Sequence, residues 1–106
     1  MSYDVRLTID TGGENPASVS KWRTPTYNLA PMFSKALGFG LRTLQDKLAG
    51  DAIPDLRRAI AAMQDDPAEF KKLNPENGWG NYEGALAFLQ AFLADCLEHP
   101  KATVNI

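Results

Sequence analysis

Alternating apolar and polar residues mark a short segment at each end of the chain. Within Asp4–Asp10 every second residue is apolar, and the same alternation runs through Ala102–Ile106. A period of two is typical of a strand with one face buried and one face in water. The pattern therefore predicts a first and a last β-strand.

Apolar residues at helical spacing predict the first helical segments. Asn28 is expected to cap a helix that contains Pro31 in its first turn and ends near Leu37, where Gly38 can adopt a left-handed conformation. The pattern repeats weakly through Leu41–Gly50, which predicts a second short helix.

Two longer helices are predicted further along the chain. One follows Asp51, has Pro54 near its start and is stopped or kinked by Pro67, after which a short helical turn is expected. The other is predicted from about Asn81 to about Glu98, with apolar residues every three or four positions. Its polar side is narrow, so we expect this last helix to be central in the core or to form an oligomer contact.

Together these elements predict one α+β domain that spans residues 1–106. Its terminal strands would pair beside a cluster of about four helices. A lone two-stranded ribbon is only marginally stable in water, so it must lean on the helices, recruit a third strand or cross a subunit boundary. The candidate source of a third strand is Thr11–Pro25, which is rich in Gly, Pro and Ser and reads as a hairpin arm or a mobile lid.

Composition and charge narrow the class of protein. A hydrophobic content of 44% with 23% charged residues is ordinary for a globular domain, and the formal charge of −2 disfavours non-specific nucleic-acid binding. Cys96 is the single cysteine, and the sequence shows neither an export leader nor a run of apolar residues long enough to span a membrane. We therefore expect a cytoplasmic protein without membrane attachment.

The turn-rich stretch Asn74–Tyr82 is the first candidate site. It contains Trp79 between two glycines and leads into the last helix. Free backbone amides of Gly78, Gly80 and Asn81 could hold an anion, and Trp79 could stack on a base, with Tyr82 as a second wall. The competing interpretation is a rigid turn whose Trp79 fills the core.

A second candidate is a set of basic, aromatic and amide side chains in the first half of the chain. If Thr11–Pro25 folds back over the first helix, this set could line a phosphate pocket, since arginine suits bidentate contacts. The alternative is a scatter of solvated side chains. The set comprises Arg6, Lys21, Trp22, Arg23, Asn28 and Arg42.

From both candidates we select seven expected ligand-binding residues. They are Trp22, Arg23, Asn28, Arg42, Asn77, Trp79 and Tyr82.

No catalytic or metal-binding motif accompanies these residues. Cys96 and His99 lie three residues apart, but a zinc site needs three or four ligands, so Cys96 is predicted to be a core thiol and His99 a helix-end residue. Ser18 and Ser20 have no histidine nearby in sequence, although triads can assemble from distant segments. We predict a protein without enzymatic activity, cofactor or metal.

Three motifs resemble those of a family of small proteins from bacteriophages, prophages and bacteria. They are TYNLAPM at Thr26–Met32, NPENGWGNY at Asn74–Tyr82, and CLEHP at Cys96–Pro100. The resemblance covers most of the chain from about Thr26 onward and leaves Thr11–Pro25 unmatched. It implies a phage-like origin and does not define an activity.

The leading hypothesis from the sequence is a homo-oligomeric, phage-type protein that binds a small phosphorylated or nucleotide-like ligand. By analogy with other small phage proteins, it would sequester a nucleotide-derived defence signal in the host cytoplasm. The alternative is a protein-interaction module that inhibits or scaffolds a host or phage protein through its amphipathic helices.

Overall fold

The computed structural model describes residues 1–106 and contains four α-helices and a small antiparallel sheet, so the α+β prediction is confirmed. Two single turns of 3₁₀-helix, Tyr27–Leu29 and Leu41–Leu44, flank the first α-helix. In chain order the main elements are β1 (Arg6–Ile9), β2 (Ala17–Ser18), α1 (Ala30–Leu37), α2 (Ala49–Asp65), α3 (Pro67–Lys71), α4 (Tyr82–Glu98) and β3 (Thr103–Asn105).

The sheet has the order β2-β1-β3, with both neighbours antiparallel to β1. Leu7 of β1 pairs with Val104 of β3, as expected for terminal strands that lie side by side. The third strand comes from Thr11–Pro25. Beyond β2 this segment continues to pair with the first residues through a bridge from Val5 to Arg23, and Thr26, the next residue after the segment, forms a bridge with Ser2. The segment is therefore a hairpin arm along β1, and it does not form a lid over α1.

One continuous core joins the sheet to the helices. Val5, Leu7 and Val104 are fully buried on the inner face of the sheet and belong to the same apolar cluster as the helix residues. The helix α4 packs on α1, α2 and α3, in agreement with its predicted central position. Its buried face includes Phe88 and Phe92, whose rings lie 5.7 Å apart.

The helix α2 begins earlier than the sequence pattern predicts. Gly50, the expected end of a preceding helix, lies within the first turn of α2, and Pro54 lies in its interior. The reason is long-range: the amides of Ala49 and Gly50 donate to the carbonyls of Ala102 and Pro100, both at 2.8 Å. These bonds satisfy donors that a helix start leaves free, and only the folded chain brings them together.

The predicted cap of α1 also differs from the structure. Thr26, and not Asn28, provides the cap, because its hydroxyl accepts from the amide of Asn28 at the start of the 3₁₀ turn. Since the turn and α1 are continuous, α1 follows Leu29 without a side-chain cap of its own.

The junction of α2 and α3 depends on a bond from α4. In a continuous helix the carbonyl of Met63 would accept from the amide of residue 67, but that residue is Pro67, which has no N–H. The phenol of Tyr82 donates to the Met63 carbonyl instead, at 2.8 Å, and is itself buried. Tyr82 thereby satisfies a buried acceptor that the proline leaves open.

We predict that Tyr82→Phe lowers the free energy of unfolding by about 1–2 kcal/mol, because the buried carbonyl loses its partner while the ring packing is kept. For a chain of this size, this corresponds to a decrease in Tm of roughly 4–16 °C. Thermal unfolding followed by circular dichroism measures the change. An unchanged Tm would show that another donor or water replaces the phenol.

Candidate functional site

Asparagine side chains hold the stretch Asn74–Tyr82 in a fixed turn. The oxygen of Asn74 accepts from the amide of Tyr82 at 2.8 Å, and the oxygen of Asn77 accepts from the amide of Trp79 at 2.9 Å. The side chain of Asn81 caps α4 by accepting from the amide of Gly84 at 2.8 Å. The rigid turn predicted from the sequence is therefore present.

The turn docks against the 3₁₀ segment that precedes α1. Gly80 has a φ of +97°, and a Cβ at this residue would lie 2.8 Å from the methyl of Thr26 and 3.0 Å from the side chain of Leu29. Gly78 also has a positive φ, +77°, but a Cβ at Gly78 would meet no atom within 4 Å. Glycine at position 80 thus permits both the positive φ and the close approach of the turn to the 3₁₀ segment.

Trp79 and Tyr82 have opposite environments. Trp79 is 68% exposed, which corrects the interpretation that it fills the core. Tyr82 is 7% exposed and bonded inside the protein, which corrects its assignment as a wall of the ligand site. The turn directs its tryptophan to solvent and its tyrosine inward.

A cleft of about 490 Å³ opens beside Trp79, where the turn meets the bridge between the first residues and the hairpin arm. It brings together Asn28, Asn77 and Trp79 from the seven predicted residues. The other lining residues are Met1, Ser2, Thr24 and Thr26.

Sequence reasoning missed the hydroxyl side of this cleft. Ser2 and Thr26 face each other because the strand pairing of β1 continues past its amino end. These residues could have been predicted if the arm had been assumed to pair with β1 as an extended segment. In an extended segment, Thr24 and Thr26 are two residues apart and lie on the same side.

The carboxamides of Asn28 and Asn77 connect the two walls of the cleft. The Nδ2 of Asn77 donates to the Oδ1 of Asn28 at 3.4 Å, and the Nδ2 of Asn28 donates to the hydroxyl of Thr26 at 3.0 Å. The predicted anion site on backbone amides is only partly available, because the amide of Gly78 already donates to the carbonyl of Pro75 at 3.3 Å.

The predicted arginines lie outside this cleft. The guanidinium of Arg23 makes a bidentate pair with the carboxylate of Asp95 in α4, with N–O distances of 2.6 and 2.9 Å. These hydrogen bonds raise the pKa of Arg23 and anchor the hairpin arm to α4. Arg42 donates to the phenol of Tyr27 at 2.7 Å and lies over the ring of Tyr3. Both groups are engaged within the fold.

Trp22 is likewise separate from the Trp79 cleft. It lines a shallow groove of about 410 Å³ with Arg23 and with Phe88 of α4. The guanidinium of Arg6 lies 4.2 Å from the centre of the Trp22 ring, a cation–π geometry, and the Nε of Arg6 is buried without a hydrogen-bond partner. Trp22, Arg23 and Arg42 therefore do not converge with Asn28 in one basic pocket, which was one of the two alternatives that the sequence left open.

The end of α4 carries the remaining candidate groups. Cys96 is fully buried, and burial together with the charge of Asp95 raises the pKa of its thiol to about 12. His99 is the C-cap residue of α4 and lines a polar groove of about 320 Å³. No group of three or more His, Cys, Asp and Glu side chains is arranged to hold a metal ion. No helix has the length and apolar character required to cross a membrane.

No protein-family model matches this chain, and no curated protein and no solved structure shows significant similarity to it.

The docking of the turn on the 3₁₀ segment can be tested with two glycines. We expect Gly80→Ala to lower the free energy of unfolding by about 2–4 kcal/mol, because the new methyl is strained at positive φ and overlaps Thr26. Gly78→Ala is the matched control and should cost only about 1 kcal/mol, for the backbone strain alone. Equal losses in urea unfolding would contradict a tight contact at Gly80.

The buried thiol can be tested by alkylation. Because only the thiolate reacts, Cys96 should react with iodoacetamide far more slowly in the folded protein than in denaturant at about pH 8. Mass spectrometry of timed samples gives both rates. A folded-state rate close to that of the unfolded chain would show that the thiol is accessible.

Proposed function

We propose that the protein is a non-enzymatic small-ligand-binding protein whose ligand is nucleotide-like and occupies the cleft beside Trp79. The observation that carries this proposal is a half-open cleft with an exposed indole and two carboxamides in its wall. A ring that stacks on an indole gains dispersion and burial of apolar surface, and stacking of a base on an aromatic side chain contributes about 1–3 kcal/mol.

The fixed backbone of the turn supports a binding role for Trp79. The side chain of Trp79 is 68% exposed and therefore contributes little to the stability of the folded protein. Its amide is nevertheless held by Asn77, and the neighbouring Gly80 packs against Thr26 and Leu29. A preorganised platform of this kind reduces the entropy lost when a ligand binds.

The size and chemistry of the cleft also suit a small molecule. Its volume of about 490 Å³ lies within the usual range for ligand pockets. The side chains in its wall are hydroxyls, amides, a thioether and an indole, groups that hold a ligand through hydrogen bonds and stacking.

The motif resemblance supports the biological setting. On this proposal the protein is phage-encoded, acts in the host cytoplasm as a homo-oligomer, and sequesters a nucleotide-derived defence signal without converting it. The motifs that carry the resemblance, Thr26–Met32 and Asn74–Tyr82, include Asn28, Asn77 and Trp79 of the cleft.

One observation favours the alternative of a protein-interaction module. The outer side of α4 presents Leu97, which is 49% exposed, near Ala94, which is also exposed, and the partly buried Leu93. A second protein or a second copy of the chain could cover this stripe. Binding of such a partner would be sensitive to Leu97→Glu and insensitive to changes at Trp79.

We expect Trp79→Ala to abolish ligand binding while the Tm stays within about 4 °C of the wild-type value, because an exposed side chain contributes at most about 0.5 kcal/mol to stability. Isothermal titration of cyclic nucleotides and ADP-ribose derivatives into both proteins measures the loss. Trp22→Phe is the matched control for removal of a tryptophan outside the cleft, and it should bind as the wild type does. Absence of heat across the panel with the wild type would refute the nucleotide-like ligand.

A further inference from the structure

The hydrogen bonds around the cleft determine the orientation of both carboxamides. Asn77 uses its oxygen to accept from the amide of Trp79 and its nitrogen to donate to Asn28. Asn28 consequently presents its oxygen to Asn77 and its nitrogen to the hydroxyl of Thr26. Neither side chain can flip without losing these bonds.

Each of the two carboxamides retains unused hydrogen-bonding capacity. A carboxamide oxygen accepts two hydrogen bonds and its nitrogen donates two, whereas the oxygen and the nitrogen of each group make one bond apiece within the fold. Asn28 and Asn77 are both exposed, so the remaining donor and acceptor positions are accessible from the cleft. An adjacent donor and acceptor is the pattern that asparagine uses to read the edge of a base.

The side chains of the cleft supply no cation for the recognition of a phosphate. No lysine, arginine or histidine side chain lines it, and the only amino group among its lining residues is the backbone amino group of Met1, which is 97% exposed. The two arginines expected to bind phosphate are engaged elsewhere, Arg23 with Asp95 and Arg42 with Tyr27. A phosphate in the cleft would therefore meet no cationic side chain, whereas an uncharged group can use the indole and the carboxamides of the wall.

We infer that the cleft recognises an uncharged nucleobase, which stacks on Trp79 and bonds through its edge to Asn28 and Asn77, while the sugar and any phosphate remain in solvent. This inference rests on the proposed function and names the part of the ligand that is bound. The basic residues of the sequence suggested a pocket for phosphate, whereas the cleft is inferred to bind a neutral planar group.

The test uses the full chain carrying Trp22→Phe, so that Trp79 is the single tryptophan and its fluorescence reports the cleft alone. Adenosine, guanosine, cytidine and uridine are titrated, followed by the monophosphate of the tightest nucleoside and by ribose 5-phosphate. We expect the nucleoside and its monophosphate to bind within about threefold of each other and ribose 5-phosphate not to bind. Raising the salt concentration should leave both affinities nearly unchanged, because no phosphate is neutralised.

A pair of isosteric variants tests the reading of the base edge. Asn77→Asp keeps the acceptor for the Trp79 amide and removes the donor, so we expect affinity to fall at least about tenfold, by the same factor for nucleoside and monophosphate. Asn81→Asp adds the same charge in the same turn, outside the cleft, and retains a good helix cap, so its affinity should stay at the level of the parent.

The outcomes separate this inference from the function on which it rests. Binding that depends on Trp79, requires the phosphate and weakens steeply with salt would overturn the inference and leave the ligand-binding function standing. Equal losses in the Asn77→Asp and Asn81→Asp variants would also overturn it, because charge and not the lost donor would then explain the effect. If no compound shows binding that depends on Trp79, both the inference and the proposed function are overturned.

Discussion

The close approach of Gly80 to Thr26 and Leu29 is the contact on which the candidate site depends. It joins two segments about fifty residues apart in the sequence, and only a residue without a Cβ permits both the positive φ and the short distance. Once this contact is made, Asn77 lies within hydrogen-bonding distance of Asn28 and the cleft has two walls. A looser contact would leave Trp79 on a turn without a fixed opposing surface.

A second constraint is that both ends of α2 need hydrogen-bond partners from other parts of the chain. The segment before β3 supplies carbonyls to the first amides of α2, and at the other end Tyr82 supplies the donor that Pro67 lacks. Both helix ends are therefore completed by elements that come later in the chain. The core, the helix ends and the turn stabilise one another, because packing α2 into the core without these partners would leave polar backbone groups at its ends unsatisfied.

Local patterns in the sequence are sufficient to predict most helices and strands, but they do not predict how these elements pack together. The alternation in Asp4–Asp10 and the helical spacing up to Glu98 predict a strand and a helix that are present, with shorter bounds for the strand. The start of α2 at Ala49 escapes the pattern because its stabilising bonds come from Pro100 and Ala102. Periodicity contains no information about a carbonyl about fifty residues away.

The candidate site shows the same division. The turn predicts Asn77 and Trp79 as candidate site residues and the second candidate set predicts Asn28, and the structure brings these three together. Arg23 was expected to face a ligand, yet Asp95 lies opposite it and neutralises it. Tyr82 carries the same aromatic signal as Trp79, but it begins the buried face of α4 and its phenol donates to the carbonyl of Met63, so it points inward. A charged or aromatic side chain is able to bind a ligand, but its neighbours in the folded structure determine whether it is free to do so.

The pairing of β1 with β3 has a consequence for how the protein forms during synthesis. Arg6 pairs with Asn105, so the whole segment between them must be made before this half of the sheet can exist. By contrast, the hairpin arm closes a short loop onto β1 and can pair early, since the entropy lost in closure increases with loop length. On the ribosome, β1 would thus have an unpaired edge on its β3 side until Thr103–Asn105 emerge, and an unpaired strand edge can pair with other chains.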